Sequence, residues 1–203
     1  MSSALLDRFI EDAQACASRC ANPANCVDVV APIMQRLLGH ADSFLTEAHL
    51  RSDPAHYTRN AILMSSDGAL SLYALVWLPG QWTPIHDHGS WGVVGVVQGM
   101  LEERSYIRID PNRATDDNQI DKSDATNNGD SNIDLVRGGV FLLAPGTVST
   151  FVPNPDHIHV TGVPANGQRT VSLHLYGRNM NHFCVYDLEK RARTRVALAH
   201  NES

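Results

Sequence analysis

His86 and His88 stand one residue apart in the stretch 79–99, PGQWTPIHDHGSWGVVGVVQG. In an extended chain, residues two apart project from the same face, so the two imidazoles point together and Asp87 points away. Two imidazoles fixed in this way are half of a metal site. Ser172, His174 and Tyr176 obey the same rule. Their alternation puts a hydroxyl, an imidazole and a phenol on one strand face, where they can form a hydrogen-bond chain. Arg59 adds a guanidinium, which grips a carboxylate through two parallel hydrogen bonds. Read by itself, Arg59 is better suited to a structural ion pair with an acidic residue such as Glu102 or Glu103.

The elements that must hold these groups are legible in the periodicity. The chain has 203 residues, 43% hydrophobic and 19% charged, enough for one well-buried core, and we expect a single domain over 1–203. Residues 1–50 read as helical. Ser2 and Ser3 precede a helix with Leu5, Leu6, Phe9, Ile10 and Ala13 on one face, and 22–25 with Pro23 breaks it. A second helix carries Val27, Val30, Ile33, Met34, Leu37 and Leu38 and stops near Gly39, and a short helix is expected near 43–48. From Tyr57 the period becomes two, and 57–190 reads as a β-barrel or sandwich. Strands are expected at 60–64, 70–78, 83–88, 92–97, 100–107, 139–143, 148–151, 157–160, 170–176 and 183–188. Residues 110–134 are rich in Asp, Asn, Ser and Thr and read as a solvated, flexible acidic hairpin insertion. They lack the Gly-and-Glu frame of a calcium loop.

Composition excludes several classes. A net charge of −6 and the absence of a basic stripe argue against nucleic acid. No apolar run approaches the roughly 20 residues that span a bilayer, so no membrane partner is expected. No secretory pattern opens the chain. Cys16, Cys20, Cys26 and Cys184 contain no C-x-x-C pair, and they read as free thiols in a reducing cytoplasm. The expected state is a monomer or small homo-oligomer.

Gly80, five residues, His86-x-His88, three residues, Gly92, six residues and Gly99 have the spacing of the first cupin motif, with Gly92 where a Glu normally stands. Gly139, five residues and Pro145 resemble the start of the second motif, after which His157 and His159 are candidates for a further ligand. With Tyr57-Thr58-Arg59-Asn60 and Ser172-Leu173-His174-Leu175-Tyr176, the pattern resembles the cysteine dioxygenase family of thiol dioxygenases, from about Tyr57 to Tyr186 without the insertion. The resemblance implies an all-β cupin barrel with N-terminal helices packed on it. It implies Fe(2+) held by His86, His88 and a third His, for which the family spacing before His174 selects His159, with His157 as the alternative. It implies Arg59 on the substrate carboxylate, assisted by Tyr57, and Ser172, His174 and Tyr176 as an outer chain near the metal. The implied reaction converts a small carboxylate-bearing thiol and O₂ to the sulfinate.

Three neutral imidazoles leave a divalent ion with its full charge, unlike the common two-His-one-carboxylate set, and so favour a thiolate. Animal-type members carry, at the Gly92 position, a cysteine cross-linked to the tyrosine matching Tyr176. That thioether cannot form here, and Trp91-Gly92 looks like bacterial mercaptopropionate-type relatives, which tend to lack the arginine. The mixture leaves cysteine, 3-mercaptopropionate and mercaptosuccinate as candidates, the last if Arg178 meets a second carboxylate. Two other readings stay open: a zinc or manganese cupin with hydrolase or isomerase activity, and a non-catalytic cupin that binds a small acid.

Overall fold

A computed structural model describes residues 4–19, 22–110, 131–153 and 157–201. Two helices lead the chain, α1 (Ala4–Arg19) and α2 (Pro23–Leu38). Helix α1 buries Leu6, Phe9, Ala13 and Cys16, a stripe at helical spacing; Ser2 and Ser3, the expected cap, lie outside the described residues. The break expected at 22–25 is a helix start. Asn22 accepts the Ala24 N–H at 3.0 Å, and Pro23 sits at the first helical position, where its missing N–H costs nothing. Gly39 ends α2 as expected. The short helix expected at 43–48 is instead a 3₁₀ turn at Ala41–Ser43. The Cys16 and Cys26 sulfurs each lie against the other residue's carbonyl, at 3.7 and 3.9 Å, inside the contact of the two helices. No described helix is long and apolar enough to cross a membrane.

The strands are β1 (Thr58–Met64), β2 (Ser71–Trp77), β3 (His86–Asp87), β4 (Gly92–Gln98), β5 (Leu101–Arg108), β6 (Leu135–Leu143), β7 (Val148–Phe151), β8 (Ile158–Gly162), β9 (Thr170–Tyr176), β10 (His182–Asp187) and β11 (Ala192–Ala197). They form two sheets with every strand pair antiparallel. One is ordered β1-β2-β9-β4-β7, the other β11-β10-β3-β8-β5-β6. The all-β expectation, with helices packed on a two-sheet body, is met.

Parity explains what each strand buries. Leu72, Ala74, Val93, Leu173 and Leu175 face out from the first sheet and pack in one cluster with Phe9, Val30, Met34 and Leu37 of the helices. Tyr73, Leu75, Trp77, Val94, Val96 and Tyr176 face in, toward the second sheet. Covered on both sides, β2 and β9 are buried at every residue. Strand β3 is shorter than the expected 83–88. Pro84 has no N–H to give to a ladder, and only His86 and Asp87 pair, His86 with Val185 and His159, Asp87 with Cys184. Strand β11 was not anticipated. The core of the insertion, 111–130, lies outside the described residues; its flanks are tied down, with Asp110 holding Arg108 Nε at 2.8 Å and the Asp134 N–H at 3.2 Å.

Gly92 sits where three strands meet, opposite Phe151 on β7 and Tyr176 on β9. A Cβ there would lie 2.2 Å from Phe151 Cζ. The ring has little room to retreat, because it stacks on His88 at 4.5 Å and on His157 at 4.7 Å. Gly92→Ala is therefore expected to destabilise by about 1–3 kcal/mol, read as a fall of several degrees in melting temperature. Combined with Phe151→Leu, the loss should be smaller than the sum of the two single losses, because the second change removes the clash.

Candidate metal centre and substrate pocket

Between the sheets lies a pocket lined by His86, His88, His159, His174, Tyr176, Arg59, Tyr57, Trp77, Leu75, Thr83, Thr161, Met180, Phe183 and Leu198. Seven of these are polar residues singled out in the sequence: three imidazoles in one cluster, His174, Tyr176, Arg59 and Tyr57.

His86, His88 and His159 are all buried, and one nitrogen from each lies within 4.8 Å of the others. His86 reaches the Pro84 carbonyl through Nδ1 at 3.0 Å. Donation there leaves Nε2 with its lone pair, pointed at His88 Nε2 3.1 Å away. Two imidazole nitrogens that share one ion at about 2.1 Å and about a right angle stand about 3 Å apart. His159 enters from β8, opposite His86 in the ladder, with its ring centroid 4.6 Å from that of His86 and 5.0 Å from that of His88. Its Nε2 is buried with no hydrogen-bond partner among the described residues. An orphaned buried nitrogen beside two converging lone pairs is what a metal ion satisfies, and the residues fit one.

Protonation supports the same use. Burial, reinforced by neighbouring imidazoles, pushes His86 and His88 well below the ordinary histidine range. Burial also lowers His159, against the opposing pull of Glu103. Neutral imidazoles keep the lone pairs that ligation needs.

Of the two histidines left open by the sequence, the geometry groups His159, not His157, with His86 and His88. His157 stacks on Phe151 and meets Glu103 Oε1 at 3.2 Å through Nε2. Glu103 is the functional residue that the sequence reading placed elsewhere. Its second oxygen lies 3.3 Å from His159 Nδ1, so a carboxylate backs one imidazole of the cluster from behind. Burial pushes the Glu103 carboxyl up, but the His157 hydrogen bond and the His159 imidazole 3.3 Å away outweigh it and hold the group well below the usual range, ionised. Glu102 pairs with Arg104 at 2.7 Å. Neither glutamate takes Arg59.

Arg59 points inward from β1 and is 8% exposed. Its guanidinium lies 4.4 Å over the Tyr73 ring and donates to the Met180 carbonyl at 3.1 Å and the Ala199 carbonyl at 3.3 Å. No described carboxylate pairs with it. A cation set beside a pocket on neutral acceptors alone is ready for an anion. Tyr57 stacks on Trp77 at 4.5 Å and lines the same wall. Arg178 does not join them. The chain turns at Gly177, whose N–H donates to the Trp91 carbonyl, and carries Arg178 to His182, where it donates to the carbonyl at 2.9 Å and meets Nε2 at 2.9 Å. Arg178, considered in the sequence as a candidate partner for a second carboxylate, is not among the residues that line the pocket.

The Ser172–His174–Tyr176 chain exists, and Trp77 orients it. The Trp77 indole can only donate, and it gives its N–H to Ser172 Oγ at 3.0 Å. Ser172 is then free to donate to His174 Nε2, 2.9 Å away. That fixes the proton of a neutral His174 on Nδ1, 3.2 Å from Tyr176 Oη. With its oxygen accepting, Tyr176 keeps its own O–H for the pocket. Burial drives His174 down to about 3 and raises Tyr176, so both are neutral at physiological pH.

Two outcomes follow. Between about pH 6.5 and about pH 3 the unfolded chain protonates His174 while the folded chain does not, so stability falls as pH falls through that window. The melting temperature of metal-free protein should therefore decline from about pH 7 to about pH 4, and His174→Gln should make the slope shallower. Glu103→Gln, measured by chelator competition, should weaken metal binding by about 10- to 100-fold while His86, His88 and His159 remain.

Comparison with known proteins places the chain. The family model described as cysteine dioxygenase type I matches residues 18–140, more than half of the chain; the span holds Arg59, His86 and His88, and His159 and Tyr176 lie beyond it. Among solved structures, a protein with a double-stranded β-helix domain from Klebsiella pneumoniae is 15% identical, with a TM-score of 0.45, over 71% of this chain and 96% of its own. An RmlC-like cupin protein from Ralstonia eutropha is 10% identical, with a TM-score of 0.43, over 73% and 72%. A protein from Thermus thermophilus is 14% identical, with a TM-score of 0.41, over 65% and 92%. By the sequence match that spans its β1, β3 and β4 motifs, the chain belongs to the cysteine dioxygenase type I family.

Proposed function

We propose that the protein is an iron(II)-dependent thiol dioxygenase that converts a small carboxylate-bearing thiol and O₂ to the corresponding sulfinic acid. One observation carries the reading: a buried cluster of three neutral imidazoles and a guanidinium without a carboxylate partner among the described residues line the same pocket. His86, His88 and His159 would hold the iron, which when bound supplies a site for the substrate sulfur and for dioxygen.

The protein's own groups divide the remaining work. Arg59 takes the substrate carboxylate and so fixes the distance from that end of the molecule to the imidazole cluster. Tyr57, on the same wall, assists. Leu75, Met180, Phe183 and Leu198 exclude water around the thiol's carbon chain. Tyr176 offers its O–H toward the reacting end, and the Trp77–Ser172–His174 chain keeps that proton on the phenol. Tyr176 acts as an un-cross-linked phenol because Gly92 offers no sulfur to join it, and Phe151 fills the space beside Gly92. Both oxygen atoms of O₂ end on sulfur, and the thiol's proton is released or carried by the sulfinic acid.

Arg59 is the only cationic side chain of the described lining. With Arg178 turned away, a second substrate carboxylate would find no partner, which favours cysteine or 3-mercaptopropionate over mercaptosuccinate. The test is an oxygen-electrode panel of small thiols on iron-loaded protein, with metal analysis alongside. Stoichiometric uptake with carboxylate thiols and little with cysteamine is expected. No uptake by iron-loaded protein with any thiol, or equal activity when loaded with zinc, overturns the reading. Arg59→Ala should raise KM for the carboxylate thiols by tenfold or more, from the loss of about 1.5–3 kcal/mol of charged hydrogen bonding, and leave KM for cysteamine nearly unchanged.

A further inference from the structure

Strand β1 is the edge of its sheet, and its outer side is met by the chain that follows β11. Asn201 donates its backbone N–H to the Arg59 carbonyl at 2.7 Å, and its carbonyl accepts the Ala61 N–H at 2.9 Å. These two bonds make a parallel bridge centred on Asn60 and Asn201. Side chains close the same contact, with Asn201 Nδ2 donating to Asn60 Oδ1 at 2.9 Å. Asn60 is 1% exposed, and its own Nδ2 donates to the carbonyls of His49 and Arg51, so the acceptor is rigidly held.

This one rung brings the segment 198–201 over the guanidinium. Ala199 gives its carbonyl to Arg59 Nη1, Leu198 reaches into the pocket, and the His200 ring lies 5.8 Å from the ring of Tyr73, on which Arg59 rests. A guanidinium has five N–H donors in a fixed plane. Carbonyls from two separate segments, at Met180 and Ala199, hold two of its nitrogens and thereby set that plane. We propose that residues 198–201 are a strap that positions Arg59 for the substrate carboxylate, with the Asn60–Asn201 bridge as its clasp, and that Asn201 is a specificity-determining positioning residue. This rests on the reading of Arg59 as the carboxylate site.

The experiment uses full-length, iron-loaded protein under anaerobic conditions. Binding of 3-mercaptopropionate and of cysteamine is measured by calorimetry, with iron content and melting temperature determined in parallel. Asn201→Pro removes both the N–H given to Arg59 and the side-chain bond to Asn60. It is expected to weaken 3-mercaptopropionate binding by about tenfold and cysteamine binding by less than about twofold, with iron content unchanged. Asn201→Ala keeps the backbone bridge, should fall between wild type and Asn201→Pro, and serves if the proline variant does not fold. Unchanged 3-mercaptopropionate binding in both variants, or an equal loss for the two thiols, overturns the strap. Oxygen uptake by wild type judges the dioxygenase reading separately. A wild type that binds 3-mercaptopropionate but takes up no oxygen sinks that reading and leaves the strap to the variant ratios. A wild type that does not bind it overturns the carboxylate site and the strap together.

Discussion

Desolvation is the constraint on which the site depends. Four imidazoles, His86, His88, His159 and His174, are buried between two sheets, and burial is the largest influence on the protonation of each. A charged imidazolium there would lose water; His86, His88 and His174 have no carboxylate beside them among the described residues, and at His159 the loss of water outweighs the pull of Glu103, so the neutral form wins. Neutrality is what gives the first three a lone pair for a metal and gives His174 one fixed N–H for Tyr176. The exception proves the same point. Glu103 stays ionised in a buried place because two imidazole nitrogens stand at 3.2 and 3.3 Å from its oxygens.

The fold supplies that dry space by covering the first sheet twice. Helices α1 and α2 take its outer face, so the inner face of β2, β4 and β9 is free to carry polar groups without leaving the structure short of core. The interruption of β3 at Pro84 serves the site as well. A carbonyl that a regular ladder would have consumed is left to accept from His86. The glycine at position 92 trades a side chain for the Phe151 ring, and that ring backs both His88 and His157.

How much of this could be read in the sequence follows from the kind of signal each residue gives. Strands β7 and β9 lie at the expected bounds, because β9 alternates polar and apolar residues inside a buried run and β7 is bounded by turn residues. The shared face of His86 and His88 needed only local geometry, and Asp87 indeed turns the other way, to the Tyr186 hydroxyl at 2.6 Å. Strand β11 was hidden because its sequence, Ala-Arg-Thr-Arg-Val-Ala, is half polar, pairs on its far side only through a bridge from Ala192 to Ser131, and reads as solvated chain. Glu103, Trp77 and the strap were hidden for a different reason. Glu103 and His159 meet across β5 and β8, and Arg59 and Ala199 meet across 140 positions of sequence, so no local pattern marks them. Arg178 misled because nearness in sequence to Tyr176 says nothing of direction once the chain turns at Gly177.

Charge balance joins these parts to the proposed chemistry. A ferrous ion at the proposed site would bring two positive charges to the pocket and Arg59 a third, while Glu103 would return one negative charge from behind His159. Among the described residues two positive charges would then remain in a space of low dielectric, where an unbalanced charge is costly. A thiol that carries one carboxylate supplies two negative charges once its sulfur is deprotonated, one at each end, and the guanidinium and the imidazole cluster line the same cavity. 3-Mercaptopropionate meets this balance directly, and cysteine meets it when its amine is neutral. A neutral thiol such as mercaptoethanol supplies one charge and leaves Arg59 unanswered, and a thiol dicarboxylate supplies one too many. On the proposed reading, the substrate class would be set less by the shape of the pocket than by the charge that the described residues leave uncompensated in it.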